Sequence, residues 1–75
     1  MEDRDIEKVQ DSADFAAKLR RLADSLDTGE RFRLQVAGVR LSVPRTAEIS
    51  IEHEVTDGSH ELEFQLKWST ADDDN

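Results

Sequence analysis

The sequence predicts an α+β protein in which one helix packs on a four-stranded antiparallel meander. Two patterns indicate this class: apolar residues at helical spacing in the first third of the chain, and strict alternation of apolar and polar residues in four later segments. A helix with one apolar stripe and a sheet with one apolar face must each bury that surface, and they can do so by packing against each other. We therefore expect a single domain at 11–69, after a segment at 1–10 that frays or adds a short edge strand, and before a disordered acidic tail at 70–75.

The helix is expected to begin at Asp11 and Ser12, whose side-chain oxygens can accept hydrogen bonds from the first free backbone N–H groups. Apolar residues then recur at spacings of three and four, which places them on one stripe: Phe15, Ala16, Leu19, Leu22, Ala23 and Leu26. Gly29 follows at the position where a left-handed residue commonly ends a helix.

The first predicted hairpin joins a strand from Arg31 to Val36 to a strand from Val39 to Val43, with a turn at Ala37-Gly38. Pro44 cannot donate a hydrogen bond to a strand neighbour, so the second strand should stop before it.

The second predicted hairpin joins a strand from Thr46 to Val55 to one from His60 to Trp68 through Asp57-Gly58, which is the stronger turn signal. The final strand alternates without a break, so we expect one of its faces to be buried, namely Leu62, Phe64, Leu66 and Trp68.

The turn at Asp57-Gly58 fixes which residues of the second hairpin face each other. Ile51 should face Phe64, Ile49 should face Leu66 and Ala47 should face Trp68. On the opposite face Glu54 then meets Glu61 and Glu52 meets Glu63, which places like charges side by side. The candidate interaction face therefore has a basic half and an acidic half, and ends at the last aromatic residue: Arg31, Arg33, Arg40, Glu52, Glu54, Glu61, Glu63 and Trp68. The plainer interpretation is a solvated face with weak ion pairs.

The composition describes an acidic chain without cysteine. Its 75 residues include 18 Asp and Glu against 10 Lys and Arg, which gives a net charge of −8. Many acidic residues and few lysines suit concentrated salt, where the Debye length falls to about 3 Å at 1 M. We therefore expect a source in a halophilic archaeon, with an ordinary acidic mesophilic protein as the alternative. No apolar run approaches the ~20 residues of a membrane span, so we expect a cytoplasmic protein without a membrane partner.

The residues that could carry chemistry give little support for a reaction or a cofactor. His53 and His60 should lie diagonally close at the end of the second hairpin, but a zinc site needs three or four ligands. We interpret them as half-buried histidines at the rim of the core rather than metal ligands. The serines lack the context of a nucleophile elbow, and the glycines lack phosphate-loop spacing. We expect no enzyme, no metal and no cofactor.

Two functional hypotheses follow. The first is a protein-interaction or assembly module, whose partner is an unknown protein or a second copy bound through the edge of the last strand. The second is a small nucleic-acid-associated protein that uses the arginine-bearing first hairpin. The net charge and the shortage of surface aromatic residues weigh against nucleic acid.

The order of these segments resembles a known family. The matching parts are the helix segment from Phe15 to Leu26 followed by Gly29, then Val43-Pro44, the strand from Glu48 to Glu52, and the strand from Glu61 to Trp68. Together they resemble the amphi-Trp domain, whose members are small proteins that end in an amphipathic strand closing on Trp. The resemblance covers residues 9 to 68. It implies the fold, and it implies no activity, because the family has no established one.

Overall fold

The computed structural model describes residues 3 and 5–72, and it confirms the α+β class. One helix, α1 (Ser12–Thr28), precedes four antiparallel strands. These are β1 (Phe32–Val36), β2 (Val39–Val43), β3 (Glu48–Thr56) and β4 (Ser59–Lys67), and a short 3-10 turn follows at Thr70–Asp72. Each strand pairs with its neighbour along the chain, which is consistent with a meander, and the backbone hydrogen bonds form two separate two-stranded sheets. The chain divides after Arg45 into two compact units.

Helix α1 is closed at both ends as the sequence predicts. Asp11 has extended backbone angles, and its side chain accepts a hydrogen bond of 2.8 Å from the backbone N–H of Asp14. At the other end Gly29 has a φ of 72°, and its N–H donates to the carbonyl of Ser25. A left-handed φ at this point costs glycine nothing, because it has no Cβ.

The first unit holds its core where α1 meets β1. Phe32 and Val43 face each other across the β1–β2 ladder and are 7% and 6% exposed, respectively. The turn uses positive φ at both central residues, 49° at Ala37 and 83° at Gly38. Strand β2 stops at Val43, directly before Pro44, as expected.

The stripe of α1 is less covered than its spacing predicts. No residue of the helix is fully buried, and Phe15 is 56% exposed, while Leu19 and Leu26 are also exposed. The structure therefore leaves much of the predicted stripe exposed. Helical spacing shows which residues share a side, but it does not show how much of that side has a neighbour.

The second unit is the β3–β4 hairpin, and its predicted register is confirmed. Ile51 pairs with Phe64 and Ile49 with Leu66. Asp57 and Gly58 form the turn with φ of 50° and 79°. The ladder ends at Glu48 and Lys67, so the expected partners Ala47 and Trp68 lie just beyond the last pair.

Much of the apolar face of this hairpin is exposed, and the expectation that the β4 side chains on it are buried is wrong for Leu62 and Phe64. Leu62 is 67% exposed and Phe64 is 61% exposed. Leu66 and Trp68 are half-buried. Alternation in sequence indicates that a strand has an apolar face. It does not indicate whether that face is covered by the same chain or by a partner.

The remaining expectations concern the chain ends and the number of domains. Residues 5–11 lie in no helix or strand. Positions 1, 2 and 4 of the predicted N-terminal segment, and 73–75 of the predicted acidic tail, lie outside the described residues. The single domain at 11–69 stays a prediction.

Candidate functional site

A surface depression of about 540 Å³ lies in the first unit and carries three arginines. We call it the arginine depression and define it by Arg21, Arg33, Gln35, Arg40 and Ser42. Four of these residues come from one face of the β1–β2 hairpin, because Arg33 pairs with Ser42 and Gln35 pairs with Arg40. Arg33 and Arg40 of the predicted basic face thus lie around a shallow depression that is open to solvent.

Arg21 reaches this site from the helix. Its guanidinium lies 5.5 Å from the centroid of the Phe32 ring, and it donates a hydrogen bond to the backbone carbonyl of Arg33. The ring and the carbonyl hold the guanidinium in place. Sequence reasoning missed this residue, because nothing in a helical pattern shows which strand an exposed flank will meet.

Arg31 lies against β2 instead of extending into solvent. Its Nε donates to the hydroxyl of Ser42 at 2.8 Å, and its Nη2 donates to the backbone carbonyl of Ser42 at 3.3 Å. The Ser42 hydroxyl accepts in this contact and keeps its own hydrogen to donate. Arg31 therefore belongs to the predicted basic face and fixes the side chain of one lining residue.

The acidic half of the predicted face lies on the β3–β4 hairpin. Glu52 faces Glu63 and Glu54 faces Glu61, as the register predicted. The amide of Gln65 relieves the first pair, since its Nε2 donates to Glu63 at 2.7 Å and to Glu52 at 3.4 Å.

Ser50 completes this network on the β3–β4 hairpin. Its hydroxyl donates to Oε1 of Gln65 at 3.2 Å, which orients the amide so that its NH₂ faces the carboxylates. The register places Gln65 diagonally from Glu52, so its role could have been found from the sequence.

The two histidines meet on the apolar face of the β3–β4 hairpin. Nε2 of His53 and Nδ1 of His60 are 2.9 Å apart, and the ring planes differ by 15°. The predicted proximity is confirmed, but both side chains are exposed, so the expectation of half-buried rings is wrong. Their contact is a hydrogen bond in which one ring nitrogen must be unprotonated to accept. Within residues 3 and 5–72, no group of three or more metal-ligating side chains occurs.

Trp68 follows the last residue of β4 and is half-buried. It lies in the second unit, with the four glutamates of the predicted interaction face. Arg31, Arg33 and Arg40 lie in the first unit.

No helix in the described part of the chain is long and apolar enough to cross a membrane.

Comparison with known protein families gives a match over nearly the whole chain. The family model of the Amphi-Trp domain matches residues 2–75, which is nearly the whole chain. No curated protein matches the chain, and no solved structure does.

Proposed function

The chain belongs to the Amphi-Trp domain family, and from the surfaces described above we propose that it is a noncatalytic protein-association module of the cytoplasm. Its acidic composition supports a further part of the proposal, that it works in the concentrated salt of a halophilic archaeal cell. The partner that the surfaces fit best is a second copy of the chain, bound along β4.

The observation that carries this proposal is the exposed apolar face of the β3–β4 hairpin. Its large side chains are contiguous on one side of the ladder, and each is more than half exposed: Ile49, Ile51, Val55, Leu62 and Phe64. Soluble monomers rarely expose contiguous apolar surface on this scale, and such patches commonly mark interaction sites. Burial of this face by a partner would remove that surface from water.

The edge of β4 offers the means of attachment. Among the described residues, the sheet that contains β4 has only β3 as a second strand. Hydrogen-bonded and non-hydrogen-bonded pairs alternate along an antiparallel ladder closed by a two-residue turn. By this alternation the backbone groups of Leu62, Phe64 and Leu66 point away from β3, where an added strand can pair with them.

Charge along β4 favours a second copy as that added strand. If two β4 strands pair antiparallel about Phe64, Leu62 faces Leu66 of the other copy. On the polar side, Glu61 then faces Lys67 and Glu63 faces Gln65. Both Glu61–Lys67 contacts pair opposite charges, which is favourable across a ladder by about 0.2–1 kcal/mol each.

Light scattering coupled to size-exclusion chromatography tests this arrangement. We expect the wild-type chain to be dimeric at micromolar concentration and Phe64→Ser to be monomeric, because the serine removes the apolar centre of the interface. Lys67→Glu should weaken the dimer, and the double change Glu61→Lys with Lys67→Glu should restore it. Lys18→Glu, on α1, is the matched control for the charge change. A wild-type chain that stays monomeric at all concentrations would contradict the second-copy proposal.

A second candidate function is association with nucleic acid through the first hairpin. The observation that favours it is the gathering of Arg21, Arg33 and Arg40 around one depression in a chain whose net charge is −8. A gel shift with an oligonucleotide at matched salt tests it. Loss of the shifted band in Arg33→Gln, but not in Arg20→Gln, would support this function.

A further inference from the structure

We propose that the arginine depression binds a small anion that carries adjacent phosphate groups. All of its residues belong to the first unit, whereas the β4 surface on which the association module rests belongs to the second. The depression has a volume of about 540 Å³ and is widely open to solvent.

The local charge is the first argument for an anion. Three arginines line the depression, and no residue with a carboxylate lines it among the described residues. Acidic residues outnumber basic ones by 18 to 10 in the chain, whereas the charged residues that line the depression are all arginines. Like charges gathered at one place repel one another, and a bound counter-charge relieves that repulsion.

The second argument is that two of the three guanidinium groups are available. Within residues 3 and 5–72, Arg33 and Arg40 have no hydrogen-bond or ion-pair partner for their side chains. Both are exposed and lie diagonally on the same face of the hairpin. Arg21 stands over Phe32 with its guanidinium already fixed. The site therefore combines one fixed guanidinium with two that are free to close on a ligand.

The number and shape of the donors favour phosphate over a single carboxylate. One guanidinium satisfies both oxygens of a carboxylate through its two parallel N–H groups. The two available guanidinium groups, of Arg33 and Arg40, need more acceptor oxygens than that, and adjacent phosphates supply them together with a higher negative charge. The hydroxyl hydrogen of Ser42 and the amide of Gln35 add neutral donors at the same site. A nucleic-acid track would instead need an extended basic stripe with aromatic residues for stacking.

Titration of the full chain with pyrophosphate, followed by ¹H–¹⁵N NMR shifts, tests the proposal. The salt is set at the lowest KCl concentration at which the circular dichroism spectrum is that of the folded chain. We expect saturable shifts at the backbone amides from Arg33 to Ser42. Arg40→Gln should weaken the affinity for pyrophosphate at least tenfold, whereas Arg20→Gln, which removes an equal charge from an exposed residue of α1 outside the depression, should leave it within twofold.

Three outcomes would overturn the proposal. One is the absence of pyrophosphate-dependent shifts at these amides in the wild-type chain. Another is an equal loss of affinity in Arg20→Gln, which would show a response to net charge alone. The third is tight binding of a single-stranded oligonucleotide of about twelve nucleotides at the same amides when pyrophosphate does not bind, which would assign the arginines to nucleic acid. Arg40→Lys adds a further check, because it keeps the charge but loses the two-pronged donor and should recover affinity only in part.

Discussion

Gln65 is predicted to stabilise the β3–β4 hairpin by donating hydrogen bonds to Glu52 and Glu63, whose negative charges repel each other. Gln65→Glu tests this. The substitution keeps the size of the side chain and replaces the donor atom Nε2 with a carboxylate oxygen. That atom lies 2.7 Å from Glu63 and 3.4 Å from Glu52. At these separations two unit charges in water repel by about 1.5 and about 1.2 kcal/mol, respectively.

The new side chain can rotate away from its neighbours, so we expect a net loss of about 1–2 kcal/mol in the free energy of unfolding. In a chain of this length, each kcal/mol lowers Tm by about 4–8 °C. Thermal unfolding followed by circular dichroism at about 0.1 M and about 1 M KCl measures the effect. The loss should shrink at high salt, because the Debye length there, about 3 Å, is close to the distances between the charges.

Gln35→Glu is the matched control for this experiment. It makes the same chemical change on the other hairpin, where Gln35 pairs with Arg40. An added carboxylate opposite an arginine should be neutral or stabilising by about 0.2–1 kcal/mol. If Gln65→Glu is as stable as the wild-type chain at low salt, or if both variants lose equal stability, the bridging role of the amide is wrong.

Two further predictions concern the ends of elements. Asp11→Ala should lower the free energy of unfolding by about 1 kcal/mol, because it removes the side-chain acceptor for the N–H of Asp14. The control is Asp27→Ala, at the opposite end of α1, where a carboxylate is unfavourable and its removal should not lower the free energy of unfolding. Equal melting curves for the two variants would contradict the cap. Gly58→Ala should cost about 1–2 kcal/mol, since an L-residue must adopt the φ of 79° found there, although no atom lies within 4 Å of the added Cβ. A chemical denaturation midpoint that does not move would show that the turn tolerates alanine.

Local features of this fold could be predicted from the sequence because they depend on residues close together in the chain. Asp11 and Gly29 mark the helix ends through their own side chain and backbone. The turn at Asp57-Gly58 set the register of the second hairpin, and the pairing of Glu52 with Glu63 followed from it.

Features that depend on contacts across the chain could not be predicted in the same way. The position of Arg21 beside Arg33 needs the packing of a helix on a strand, which apolar spacing does not specify. The exposure of Leu62 and Phe64 depends on what covers a face, whereas alternation specifies only that the face exists. The basic half of the predicted face was found from the sequence, but its concave shape around three arginines was not.

The pairing of each strand with its immediate successor also bears on how the chain folds. The most widely separated ladder partners, Glu48 and Lys67, are fewer than twenty positions apart, so closing each loop costs little entropy. Hairpins of this kind form in about 1–10 μs, whereas a ribosome adds about 5–20 residues per second. Each ladder can therefore be complete during synthesis, before two chains meet. In the proposed dimer, the apolar face that the newly made hairpin exposes is covered only when the second copy arrives.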